Sequence, residues 1–310
     1  MAINDEKVEL RHKAGQGNWS AFCELGLSLE NVIRVAGQWR HKVNGIDKPW
    51  LCWNVDGDWC TVQQLLIRHA GWTPVIGFDP RVGPPKWVVP GSVVIDFNQG
   101  IDLPVLYPHF PLEFCFIWCE KLAFWHSDLL IRPNKMTSIA QKFLSLTDGT
   151  TAATWAFPGV RYALSQRKKR YWELIGCTTK KASLDQFNKG CGWWMAFWAH
   201  PNCPDEYTRQ NIKEKYYWDH GAGIYYWRRN FGGQIVEINE KYVKEGHFTA
   251  IGNSNYEKSW VAIENAQRHM SIDIKVNFEL TDVCQRLGLT QLIGENMDLV
   301  KAIDHSEVES

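Results

Sequence analysis

The segment Phe124-Trp125-His126-Ser127-Asp128 sets an imidazole and a carboxylate two positions apart at the end of an apolar run. Residues two apart on an extended strand point to the same face, so His126 and Asp128 are expected to project together. A neutral imidazole beside a carboxylate suits a divalent ion such as manganese, and an ion so held neutralises a diphosphate leaving group. The plainer alternative is a hydrogen-bonded core histidine next to an aspartate that caps a turn or a helix.

Something must hold such a pair in place, and the surrounding pattern is that of alternating strands and helices. Pro49 to Val55 is a short apolar run ending in the turn-forming Asp56-Gly57-Asp58, the mark of a buried strand, and a helix is expected through Val62 to His69. Thr73 to Phe78 reads as a second strand ending at Asp79-Pro80-Arg81, and Ser92 to Phe97 as a third. Apolar spacing from Pro111 to Lys121 fits a helix, and Leu122 to Trp125 reads as a core strand that delivers His126. Pro133 is a natural helix start, with the helix running to about Leu146. Thr150 to Phe157 is β-rich, a basic turn at Arg167 to Arg170 leads to Tyr171-Trp172-Glu173-Leu174-Ile175, and a helix around Tyr225 to Arg229 precedes a strand expected at Gln234 to Ile238. Strand, helix, strand at this spacing is the signature of an α/β protein. Residues 1–48 read as an N-terminal extension with a short amphipathic helix, residues 49–255 as the main domain and 256–310 as a helical or extended appendage.

His126-Ser127-Asp128, at the end of a core strand after several strand and helix units, resembles the D-x-D motif of GT-A nucleotide-sugar glycosyltransferases, with histidine in place of the first aspartate. The resemblance covers roughly residues 49–250 and implies a Rossmann-like GT-A sheet flanked by helices, with an acceptor-side subregion. It implies a nucleotide-sugar donor, a glycan or other hydroxyl acceptor, and a divalent metal, Mn2+ or Mg2+, held by Asp128, His126 and a later histidine, which His247 in Glu245-Gly246-His247-Phe248 matches. Asn54, Asp56 and Asp58 end the first strand and Asp79 and Arg81 the second, where open α/β sheets bind ligands; they are the donor-side candidates, with ordinary turn chemistry as the alternative. Trp172, Trp193, Trp194 and His200 are the acceptor-side candidates, because flat aromatic faces complement the C–H faces of sugar rings. Helix-spaced core packing explains the tryptophans equally well. An inverting transfer needs a carboxylate near the acceptor hydroxyl as general base, and in the acceptor half Glu173, Asp185 and Asp219 are the candidates, with Asp128 on the metal side. A metal-dependent hydrolase and a non-catalytic carbohydrate-binding protein are the rival readings.

Composition narrows the partners. Among 310 residues, 34 Lys and Arg balance 34 Asp and Glu, so no overall field draws the chain to nucleic acid or to an anionic membrane. The most apolar stretch, Leu112 to Trp125, is interrupted by Glu113, Glu120 and Lys121, which argues against membrane insertion. The amino terminus has no secretory h-region and the nine cysteines are odd in number, so reduced thiols and a cytoplasmic location are expected. The 17 tryptophans are more than a core of this size ordinarily takes.

Overall fold

The computed structural model of the protein describes residues 7, 9–11, 14, 21, 24–25, 29–55, 57–104, 106, 108, 111–113, 118–155, 171–193, 221–239, 243–246, 280–296 and 301–302. Its centre is a seven-stranded mixed sheet. Strands β1 (Pro49–Asn54), β2 (Thr73–Phe78), β4 (Val93–Val94) and β5 (Lys121–Trp125) run parallel, β7 (Tyr171–Thr179) runs against its neighbours, and β6 (Thr150–Trp155) pairs in parallel with β8 (Gln234–Ile238). Across the sheet the order is β4-β2-β1-β5-β7-β6-β8. A separate two-stranded ribbon joins β3 (Trp87–Val88) to β9 (Lys301–Ala302). The third strand expected at Ser92 to Phe97 is thus only two residues long, because the chain turns through Asp96 and Asn98, where the Asn98 backbone N–H donates to the Asp96 carboxylate.

Side-chain alternation divides the buried residues into two cores, one on each face of the sheet. Leu51, Trp53, Val75, Leu122 and Phe124 face one side; Trp50, Cys52, Ile76, Ala123 and Trp125 face the other. Both faces are apolar because both are covered by helices, which is why these strands read as continuous apolar runs. On the first face lie α1 (Leu29–Val43), through Ala36, Trp39 and Val43, and α5 (Ala222–Phe231), through Ile224. On the second lie α2 (Gly57–His69), α3 (Pro133–Leu144) and α6 (Leu280–Leu287). Helix α4 (Lys180–Asn188) follows β7, and α7 (Thr290–Asn296) packs near α2.

Several tryptophans find their place here. Trp50 sits edge-on to Trp72 and Trp125, at centroid distances of 5.4 Å each, with Phe143 at 5.2 Å closing the group. Burying a large apolar side chain contributes roughly 1.5–3 kcal/mol, so this cluster ties β1, β5 and α3 together. Within the carboxy-terminal part, Val283, Cys284 and Leu287 are buried in the same core as α2 and α3, and β9 pairs with β3. Helix α2 begins at Gly57, so Asp58 lies in its first turn, where a negative charge is favoured by the exposed backbone N–H groups.

Candidate functional site

In an open sheet the crevice for a ligand lies at the carboxyl ends of the strands, where the order of connection reverses. Here that point falls between β1 and β5: from β1 the chain winds outward through α2 to β2, whereas β5 lies on the other flank of β1. The carboxyl end of β1 is Asn54, and the residue following β5 is His126. The expected location of the His126-Ser127-Asp128 segment is therefore the observed one.

Asp128 and His126 do project together. Oδ1 of Asp128 lies 3.4 Å from Nδ1 of His126, and on the other side of the ring Glu173 Oε1 lies 3.3 Å from Nε2. The two carboxylate side chains are nearly closed off, at 7% and 9% exposure, while His126 remains 28% exposed and forms the accessible part of the cluster. Glu173 arrives by a local irregularity. Ala153 pairs with Gly176 and the next residue, Thr154, with Trp172, so residues 173–175 bulge out of the β6 ladder, and Thr154 Oγ1 closes the gap by donating to the Ile175 carbonyl. Bulges re-aim side chains beside functional sites. The His126 backbone N–H donates to the Leu174 carbonyl at 2.9 Å, fixing the bulge against the end of β5.

Burial works against a charged ring at His126, but the hydrogen bonds to Asp128 and then to Glu173, with the charges of both, outweigh it and raise the pKa from 6.5 to about 10. The protonated ring is thus favoured well beyond a free imidazole, with Nε2 in hydrogen-bond contact with Glu173 and Nδ1 facing Asp128. His126 turns both ring nitrogens towards carboxylate oxygens, a poorer arrangement for holding a cation than an open lone pair. Asp128 fits better, as a hard oxygen donor suited to Mg2+ or Mn2+. Among the described residues no group of three His, Cys, Asp or Glu side chains is arranged to hold a metal ion. His247 lies outside the described residues.

The chain just before His247 is nevertheless brought to this place. Leu130 N–H donates to the Gly246 carbonyl at 3.0 Å. Gly246 ends a short 3-10 turn, Lys244–Gly246, and a Cβ there would fall on the Leu130 carbonyl oxygen, so only glycine permits the approach. Glu245 is clasped by Arg132 and by Lys135, whose Nζ lies 3.2 Å from Oε2. The Arg132 hydrogen bond is the main reason the Glu245 pKa falls from 4.5 to about 2. A depressed carboxylate pKa contributes stability above the unfolded value, so the clasp is present above pH 4.5 and fades as pH falls towards 2. Gly246→Ala is expected to cost about 1–3 kcal/mol by overpacking and to detach this turn from Leu130. Thermal denaturation of the variant, alongside Gly37→Ala at a glycine with open space around it and no left-handed backbone, checks the point.

On the donor side, Asn54 is 1% exposed; its Nδ2 donates to the Gly83 carbonyl at 3.0 Å, which leaves Oδ1 buried without a hydrogen-bond partner. An unmet buried acceptor of this kind costs about 1–3 kcal/mol. Asp79 and Arg81 are also at this edge, but Arg81 directs Nε and Nη2 onto the Asp79 carboxylate at 2.8 and 2.7 Å, with the pair almost wholly buried. They brace the end of β2 instead of offering an open cation to phosphate. Asp58 is exposed on α2, and Asp56 lies outside the described residues.

The acceptor-side expectations fare unevenly. Trp193 is fully buried, edge-on to Phe124 at 4.8 Å, and belongs to the core, so it offers no open face to a sugar. Trp172 lies on β7 next to Glu173, while Trp194, His200 and Asp219 lie outside the described residues. Asp185 is on α4, where its carboxylate accepts from Trp227 at 2.7 Å and pairs with Lys189 at 2.9 Å; the structure does not bring it to the His126 cluster. No family model, curated protein or solved structure matches this chain.

Proposed function

We propose that the chain is a GT-A-like glycosyltransferase that moves a sugar from a nucleotide-diphosphate donor to a glycan or other hydroxyl acceptor at the crevice between β1 and β5. The observation that carries this reading is the gathering of Asp128, His126 and Glu173 at the point where the strand order reverses. It is supported by the order of parts: a β1-α2-β2 unit for the nucleotide beside a strand whose carboxyl end bears the acidic motif. Asn54 Oδ1 supplies an acceptor to an N–H or O–H of the donor nucleoside. Asp128 is the residue that would hold Mn2+ or Mg2+, and such an ion supplies positive charge opposite the departing β-phosphate.

The remaining roles belong to the chain's own groups. His126 orients both carboxylates and offsets their mutual repulsion. Glu173, beside His126, is the carboxylate placed to accept a proton from an acceptor hydroxyl. No helix among the described residues is long and apolar enough to cross a membrane. A cytoplasmic setting belongs to the proposal too, with all six described cysteines buried as thiols.

The test is a thermal-shift panel of uridine, guanosine, adenosine and cytidine diphosphates, each with and without manganese. The expected result is that at least one raises the melting temperature in a manganese-dependent way. If none does under either condition, the donor assignment is wrong.

A further inference from the structure

The cluster needs its turn held still, and one side chain far away in sequence does this. Gln63 lies in the middle of α2 and is fully buried. Its Nε2 donates to the His126 carbonyl at 2.8 Å and to the Leu129 carbonyl at 2.9 Å, while its Oε1 accepts from the Cys52 thiol at 3.2 Å. The two carbonyls bracket Ser127 and Asp128. Both amide hydrogens and the carbonyl oxygen are therefore used, which is the condition under which a carboxamide is tolerated in an apolar core. Its neighbour Gln64 is also fully buried but holds a different loop: it accepts from Val89 N–H at 2.8 Å and from Ser92 Oγ at 3.3 Å, and donates to the Trp87 carbonyl at 3.2 Å.

We infer that Gln63 is a positioning residue, which fixes the His126–Leu129 turn so that Asp128 stands in the crevice before any ligand arrives. The inference rests on the proposed function for its catalytic meaning, although the holding of the turn does not. A buried donor pair on two carbonyls is more than packing requires, since leucine or methionine would fill the same space in α2. Without it, the His126 and Leu129 carbonyls lose their Gln63 donor, and the turn is left to its backbone bonds: His126 N–H to Leu174 at 2.9 Å, Leu129 N–H to His126 at 3.2 Å and Leu130 N–H to Gly246 at 3.0 Å.

The experiment compares Gln63→Met, which keeps length and burial but removes the amide, with Gln64→Met as a matched loss of a buried glutamine on the same helix. Gln63→Asn, which keeps an amide but lacks the reach, stands in should Gln63→Met not fold. Amide hydrogen exchange of the segment spanning 126–131 is read first, on the full chain. Gln63→Met is expected to exchange there about tenfold faster than wild type, and Gln64→Met to leave it unchanged. Affinity for the manganese-dependent nucleoside diphosphate is read second, with about a tenfold loss expected for Gln63→Met alone. Unchanged exchange of the turn in a folded Gln63 variant overturns the inference, as does equal acceleration in the Gln64 variant. A turn loosened as expected in a protein whose wild type binds no nucleotide upholds the positioning and sinks only the donor reading.

Discussion

Replacing His126 by glutamine should destabilise the protein by about 3–5 kcal/mol at neutral pH, the usual cost of removing one partner from a buried ion pair and leaving the other charges uncompensated. The expectation follows from the arrangement, in which Asp128 and Glu173 are both nearly closed off and both face the His126 ring. The pH dependence follows from the direction of the shift. Because the folded pKa, about 10, stands above the unfolded 6.5, the stabilisation due to the imidazolium is complete below pH 6.5 and is lost as pH rises through 10. The gap in unfolding free energy between wild type and His126→Gln should thus be widest below pH 6.5 and narrow on the alkaline side. Urea denaturation of both proteins from about pH 6 to about pH 10, with chelator present, measures it. A gap that is small at neutral pH, or one that widens towards the alkaline end, contradicts an imidazolium held between carboxylates.

The early strands and helices were legible in the sequence because their punctuation is strong. Pro49 to Asn54 is apolar and ends in turn formers, Thr73 to Phe78 likewise, and Pro133 opens α3 where proline is well tolerated. The place of His126 and Asp128 was legible for the same reason: the strand that delivers them into the following turn is short, apolar and followed at once by polar residues. The partnership with Glu173 was not. It depends on a three-residue bulge in β7, and nothing in Tyr171-Trp172-Glu173-Leu174-Ile175 marks where the ladder breaks. Long-range pairing hides Gln63 in the same way, although two adjacent glutamines within the apolar Val62 to Ile67 run are a signal that a buried helix face has polar work. Trp193 shows the opposite failure: its aromatic type suggested a sugar platform, whereas the core around Phe124 encloses it. Arg81 reads as an anion binder by type, but an aspartate two residues before it is close enough to engage its guanidinium first.

Asp128→Asn separates chemistry from architecture most cleanly. The substitution keeps the size and planarity of the side chain, so the turn held by Gln63 and the core beneath it should survive. It removes the negative charge by which Asp128 would hold a divalent ion against the diphosphate, and it leaves the His126 contact with Glu173 in place. If the residue were only a turn or helix cap, an asparagine would serve almost as well, since both are good caps, and the cost would be about 1 kcal/mol or less with function untouched. If instead Asp128 holds the ion of a glycosyltransferase, turnover falls by roughly 10²-fold or more while the fold persists, because an interaction that matters mainly as the leaving group departs has been removed. The decisive measurement is therefore nucleotide release from the nucleotide sugar that the thermal-shift panel selects, followed across a manganese titration for wild type and Asp128→Asn at matched degrees of folding. Manganese-dependent release by the wild type and a loss of about two orders of magnitude in the variant are expected; a folded Asp128→Asn protein that releases nucleotide at the wild-type rate would contradict the assignment of Asp128 to the metal and the diphosphate.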